Sequence, residues 1–320
     1  MNGLRLLAFL LLTTATLQLQ AQQLSLFTQY REQASLINPA AIENDYLVYA
    51  NNATVGVAYR AQWVGLANAP TTSIVRGSYI WDRGNVGLVM GGHIISDQTG
   101  PTGFTGIYGR FGGIISSDPE YGGLVLALSA GIVQYRVNAS EITLRQSNDI
   151  VGTNDLTQWF PDVGVGLYYY QFLNGGGFDG DAIYMGVSVP QVAGLDFTFQ
   201  DEDSGEFFQK RIQHFYGTFG LIKFFDNDSF IEPSLWVKYA PNAPSNVDLN
   251  LRYHLPSNIW IGTGVSTAKT FHFEAGFALG DNVGLNNTLK FGYGYDYSFS
   301  DFGPTAGSTH EIGLSLSFDD

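Results

Sequence analysis

The run THEIGLSLSF at Thr309–Phe318 decides the fold. Ile312, Leu314, Leu316 and Phe318 fall on one face, and Glu311, Gly313, Ser315 and Ser317 on the other. Strict period-two alternation is the signature of a β-strand with unlike faces, because successive side chains of a pleated strand point oppositely. The same alternation recurs upstream. SNVDLNLRYH sets Val247, Leu249, Leu251 and Tyr253 against Asn246, Asp248, Asn250 and Arg252, which leaves one fully polar face along a whole strand. FHFEAGFALG sets Phe271, Phe273, Ala275, Phe277 and Leu279 against His272, Glu274, Gly276 and Ala278, and NIWIGTGVST behaves alike except that Trp260 falls on the other face.

Other strands are expected to begin near Thr54, Thr71, Val86, Phe104, Gly123, Val163, Ala182, Gln213 and Phe230, with one more through Leu289–Tyr297. The total is about 14, an even number that brings both ends of an antiparallel barrel to one side. Segments 137–145 and 205–210 read as either further strands or loop excursions. The expected fold is therefore all-β, a transmembrane antiparallel β-barrel. A secreted two-sheet sandwich is the competing architecture, since its strands also carry one polar face.

Composition agrees. The 320 residues include 39 Gly, 23 Phe and 18 Tyr with only 14% charged residues. So many glycines would cost backbone entropy in helices, whereas curved sheets use them where strands crowd or bulge. Mean hydropathy is +0.01 and does not separate a barrel from a soluble sheet protein, because lumen-facing residues dilute the apolar ones. The formal charge of −14 argues against binding a nucleic-acid backbone. With no Cys there are no disulfides, thiolate metal sites or Cys nucleophiles.

Residues 1–21 read as a signal peptide. Arg5 precedes the apolar run Leu6–Leu12, and LQA at Leu19–Ala21 precedes a cleavage site before Gln22. The run is well short of the roughly 18 to 20 residues that span hydrocarbon. Residues 22–53 show weaker periodicity and carry the Asn38-Pro39 turn signal. They form an N-terminal arm to the barrel that completes 22–320.

Sites for chemistry are scarce. His93, His214, His254, His272 and His310 form no compact metal signature, and no GxSxG elbow is present. Local hydrogen bonds are expected where His272 shares a face with Glu274 and where His310 adjoins Glu311. The acidic runs Asp201–Asp203 and Asp226–Asp228 lack the 12-position calcium-loop pattern and read as solvated loops. No enzyme and no cofactor is expected.

Several segments together resemble the PorP/SprF family of type IX secretion outer-membrane proteins. Near the N-terminus they are SLFTQYREQASLINPA (Phe27, Gln29, Tyr30, Asn38, Pro39, Ala40) and YRAQWVGLANAPTT (Tyr59, Arg60, Gln62, Trp63, Pro70, Thr71). PDVGVGLYYY, GVSVPQV and EPSLWVKY follow, and FGYGYDYSFSDFGPTAGSTHEIGLSLSF closes the chain with Tyr293, Tyr295, Asp296, Tyr297, Gly307, His310, Glu311 and Ile312. The resemblance implies a barrel in the cell outer membrane beside the type IX secretion machinery. There it would retain or present secreted cargo, gliding adhesins included, at the cell surface, with outer-membrane lipid as its other contact. A small-solute porin is the alternative. Phe318 is followed by Asp319 and Asp320, so the terminal aromatic signal of such barrels is displaced by two residues.

Tyr30, Asn38 and Pro39 are candidates for docking a partner through the arm or for bracing the barrel mouth, and bracing is favoured. Asn38 turns the chain, Pro39 restricts it, and Trp63 offers a large packing surface. Asp296 and Glu311 are placed in a polar interior, where they would pair with Arg60 or another base.

Overall fold

A computed structural model describes residues 27–82, 87–138, 155–178, 180–192, 196–201, 205–210, 212–280, 283–300 and 303–320. The signal peptide expected at 1–21, the start of the arm and most of 137–145 lie outside them.

Fourteen antiparallel strands close into a barrel. In chain order they are β1 (Ala53–Ala61), β2 (Thr71–Trp81), β3 (Gly87–Thr99), β4 (Thr102–Ile115), β5 (Gly122–Val137), β6 (Leu156–Phe172) and β7 (Ala182–Val189). After an excursion come β10 (Phe215–Phe224), β11 (Phe230–Tyr239), β12 (Asn246–His254), β13 (Ile259–Ser266), β14 (Thr270–Leu279), β15 (Thr288–Ser298) and β16 (Thr309–Phe318). The excursion holds β8 (Asp196–Asp201) and β9 (Gly205–Lys210), which among the described residues pair only with each other. Gly205–Lys210 is thus a strand outside the wall.

The deciding run closes the ring. Ala53 pairs with Phe318 and Ala61 with His310, so the displaced aromatic still lies opposite the first residue of β1. We call the end where these termini meet the base and the opposite end the rim. The long connections 138–155 and 190–214 belong to the rim. β6 begins at Leu156, earlier than the Val163 expected from sequence. Pro161 hid this extension, because a residue without N–H reads as a strand break unless that position faces no neighbour.

Alternation resolves into an apolar exterior and a polar interior. Along β1, Val55, Val57 and Tyr59 are exposed while Thr54, Ala58 and Arg60 are buried. β16 repeats this with Ile312, Leu314 and Leu316 outside and Glu311, Ser315 and Ser317 inside. Such an inside-out distribution fits a hydrocarbon solvent, and closure removes every unpaired edge within it. A sandwich core would bury the apolar face instead. Among the described residues no helix is long and apolar enough to cross a membrane.

The interior is packed. Phe27–Asn52 runs inside the barrel as a plug with two short helices, α1 (Ala34–Ile37) and α2 (Asn44–Tyr49). Ala40, Ala41, Ile42, Tyr46 and Leu47 are buried against inward Ile80, Val89, Val125, Tyr168, Tyr170 and Ile222, and Ile37 is buried in a second cluster with Ile74, Val133 and Trp236. α2 ends at Ala50 in the left-handed region (φ 56°), whose N–H bonds back to the Tyr46 carbonyl and turns the chain toward β1.

Candidate functional site

The plug descends from rim to base, hydrogen-bonded to the inward polar groups of the wall at both ends and ion-paired to inward charges between them. Near the rim, Glu311 accepts the Thr28 backbone N–H at 2.8 Å and that of Gln29 at 3.2 Å. Arg60 donates to the Thr28 hydroxyl (2.8 Å), to Asp296 (2.8 Å) and to Glu311 (3.4 Å). The Thr28 hydroxyl donates to Asp296 at 2.7 Å, and His272 Nδ1 lies 2.8 Å from the same carboxylate. Neighbouring strands supply this node: Arg60 is opposite Glu311 in the β1–β16 register, and His272 is opposite Asp296 in β14–β15.

One turn further in, Tyr30 donates to Ser234 (2.7 Å) and stacks on Trp236 with ring centroids 4.9 Å apart. Burial pushes its hydroxyl pKa up to about 12. Arg31 pairs with Glu274, lies 3.7 Å from Glu232 and donates to Ser234 at 2.8 Å. Glu32 takes the opposite role: Arg252 reaches it at 2.8 Å and Lys290 at 2.5 Å. Arg252 also holds Glu274 at 3.0 Å and Lys290 holds Asp45 at 2.5 Å. The result is a network of alternating sign linking plug to β11, β12, β14 and β15.

Burial works against ionisation of Glu32, but Lys290 and Arg252 outweigh it and hold this carboxyl below the usual carboxylate range. At Asp45 burial wins and pushes the carboxyl up, with Lys290 opposing.

Toward the base, Glu43 faces Arg76 (3.0 Å) and Arg110 (3.6 Å), while Arg110 also donates to the carbonyls of Pro39 (3.0 Å) and Ala41 (2.7 Å). Asn38 folds back to accept the Ala40 N–H at 2.9 Å and donates to the Leu167 carbonyl of β6 at 3.0 Å. This approach needs Gly166 in the wall, since a Cβ there would overlap the Asn38 amide. Tyr46 donates to Asp82 (2.7 Å), Tyr49 meets His254 (3.0 Å), and Asn51 donates to Thr288 (3.1 Å) and Ser317 (3.0 Å).

Of the residues singled out from sequence, Tyr30, Asn38, Pro39, Arg60, Asp296 and Glu311 all lie along this plug–wall contact, and Arg60, Asp296 and Glu311 form one cluster. Trp63 does not join them. It sits half-buried in the β1–β2 connection at the rim with φ 55°, its N–H on the Thr309 hydroxyl at 3.3 Å. His310 points outward, bonded to Tyr293 (2.6 Å) and Ser308 (2.9 Å). The expected His310–Glu311 and His272–Glu274 pairs do not form. Adjacent strand residues face oppositely, and Asp296 on the neighbouring strand is nearer to His272 than Glu274 is.

The sequence reading missed Arg31, Glu32, Glu43 and Asp45 on the plug and Arg76, Arg110, Glu232, Arg252, Glu274 and Lys290 on the wall. Their signal was present. Each wall residue occupies the polar phase of its strand, and ionised groups in that phase demand partners from whatever fills the lumen.

In fold the chain is similar to outer-membrane barrels. It matches the monoaromatic hydrocarbon channel CymD at 11% identity over 84% of this chain and 89% of that one (TM-score 0.47). A deletion mutant of the monoaromatic hydrocarbon channel TodX matches at 10% identity over 90% and 94% (TM-score 0.48). The translocator domain of autotransporter NalP from Neisseria meningitidis matches at 9% identity over 92% and 96% (TM-score 0.47). No curated protein matches the sequence. Family membership comes from the sequence itself: residues 19–316 match type IX secretion system membrane protein PorP/SprF, and the chain belongs to that family of the outer membrane.

Proposed function

We propose that this protein is a non-enzymatic attachment component of type IX secretion, retaining or presenting exported proteins, gliding adhesins among them, at the cell surface. The observation that carries this reading is the lumen filled by a plug fixed by buried ion pairs along its middle and by hydrogen bonds at both ends. A diffusion pore needs an open polar lumen, and here the plug occupies that lumen and engages Arg76, Arg110, Arg252, Glu274 and Lys290 of its lining. Family membership supplies the association with the secretion machinery, and the apolar exterior supplies the contact with outer-membrane lipid.

In this reading residues 1–21 direct export and are removed, 22–53 form the arm, whose residues 27–52 are the plug, and the rim faces outward. Tyr30, Asn38 and Pro39 brace the plug, with Arg60, Asp296 and Glu311 as its outer clasp. Trp63 and His310 stiffen the rim and its outer wall.

Deletion of the gene, followed by comparison of surface-bound and released proteins, tests the proposal. The expected result is loss of at least one exported protein from the surface while the barrel's absence leaves small-solute uptake unaffected. A robust open conductance of the purified protein, together with unchanged cargo location in the deletion strain, refutes it in favour of a small-solute porin.

A further inference from the structure

β6 is longer than the strand beside it. It pairs with β5 along its whole length, Leu156 with Val137 through Gln171 with Gly122, whereas β7 pairs with it only as far as Val165. Above Val165, among the described residues, β6 is paired to a strand on one side only. Pro190 of the chain leaving β7 lies against Gly164, and above it the described residues make one backbone hydrogen bond to this side, Val192 N–H to the Val163 carbonyl at 2.7 Å.

That bond fixes the phase. In an antiparallel ladder, residues that do not exchange hydrogen bonds with one neighbour turn both N–H and C=O to the other side. Val163 therefore faces the open side, and so do Pro161, Trp159 and Thr157 at period two. Two of these positions are already blunted: Val163 N–H bonds to the carboxylate of Asp162 at 2.9 Å, and Pro161 has no N–H. Among the described residues, Thr157 and Trp159 present backbone donors and acceptors to no strand. Open strand edges are not tolerated in hydrocarbon, so this part of β6 stands above the bilayer at the rim.

The outward face beside the edge is specific in character. Trp159 is 60% exposed and is opposite Gln134. Ile132, 59% exposed, is opposite Pro161, and exposed Arg136 is opposite Thr157. Among the described residues Arg136 pairs with no carboxylate. Beneath, Phe160 and Val133 are buried, which makes the edge a rigid template.

We infer that the rim edge of β6 at Thr157–Pro161 is a docking site for an extended polypeptide segment of an exported partner, which adds to the sheet as a strand. The partner's main chain pairs with Thr157 and Trp159 and with the Pro161 carbonyl, an apolar side chain rests on Trp159, and an acidic side chain meets Arg136. Main-chain donors and acceptors at strand spacing are what this edge can recognise, and neither lipid nor a small solute supplies them. A second copy of this chain is disfavoured by charge, since it would bring Arg136 toward its own counterpart within a pair of molecules each carrying −14. The inference rests on the attachment function proposed above and names the chemistry of its partner.

The absence of Cys makes the test direct. In cells making the full-length protein, Thr157→Cys is derivatised with a benzophenone maleimide, irradiated, and its adducts are sequenced by mass spectrometry. Adducts to one stretch of an exported protein are expected. Adding Trp159→Pro should cut their yield about tenfold or more, as both a main-chain donor and the aromatic anchor are lost. Trp159→Ala, which keeps the backbone donor, should give a smaller loss, and heat-dependent gel mobility verifies that each barrel is closed. Adducts only to lipid or to a second copy, no adduct, or equal yields with Trp159→Pro overturn the inference. If gene deletion releases surface proteins but Trp159→Pro does not, the edge assignment fails and the attachment function stands. If deletion releases none, the attachment function fails and this inference with it.

Discussion

Removing the Lys290 ammonium should unlatch the plug without opening the barrel wall. Lys290 projects from β15 between two plug carboxylates, 2.5 Å from Glu32 and 2.5 Å from Asp45, and is itself almost completely buried. Lys290→Met keeps the stem and deletes the charge. Glu32 retains Arg252 at 2.8 Å, but Asp45 loses its only ion-pair partner among the described residues. Leaving a buried charge uncompensated costs about 3–5 kcal/mol. At about 1.4 kcal/mol per decade, the ratio of undocked to docked plug should rise by about 10²–10³. Ala41, 2% exposed on the plug, gives the readout: in the Cys-free chain Ala41→Cys is a single buried thiol whose maleimide labelling rate follows the undocked population. The rate should rise by about that factor on adding Lys290→Met, with heat-dependent gel mobility unchanged. Adding Asp45→Asn should recover most of the protection, because the cost lies in the orphaned charge rather than in the lost methylene contacts. A labelling rate within twofold of the parent, with a closed barrel, would refute ionic latching of the plug.

Deleting residues 27–52 should leave a barrel that folds and conducts ions in planar bilayers, while the intact chain stays closed; equal conductance of the two would show that the plug does not seal the lumen. Gly166→Leu should force Asn38 from the wall and raise Ala41→Cys labelling at least tenfold, about 1.4 kcal/mol or more, whereas Gly113→Ala, with open space at its Cβ, should not. Arg60→Met leaves buried Asp296 and Glu311 without their shared guanidinium at a cost of about 3 kcal/mol or more, read as a lower unfolding temperature in detergent. Acidification is expected to loosen the plug through Glu32. Its folded-state pKa is depressed, so its contribution is complete above the unfolded value of about 4.3 and is lost as pH falls through the folded value. Conductance measured in an Asp45→Asn background should therefore rise only below pH about 4; a rise on the alkaline side would contradict this sign.

The wall was legible because its rule is local. Period-two alternation in Thr309–Phe318 or Asn246–His254 needs only a pleated backbone and two unlike solvents, and it placed Glu311, Asp248 and Arg252 on the polar face. The partners of those residues were not legible. Arg252 meets Glu32 and Arg60 meets Thr28 only after barrel closure brings distant segments together, and no spacing along the chain encodes a contact across a lumen. Residues 27–52 had weak periodicity for a physical reason: a plug contacts wall on several sides at once and has no single apolar face. Likewise Pro161 concealed the upper part of β6, because sequence does not say which strand positions lack a neighbour.

The order in which the plug meets the barrel makes its two ends unlike under load. Phe27 and Thr28 lie near the rim, while Asn52 joins β1 at the base. At the base the segment is joined to the wall by the chain itself, and at the rim it is held by the contacts of Thr28 with Arg60, Asp296 and Glu311. A pull on the rim end of the plug is therefore borne by hydrogen bonds, whereas a pull on its base end passes straight into β1 through the Asn52–Ala53 peptide bond.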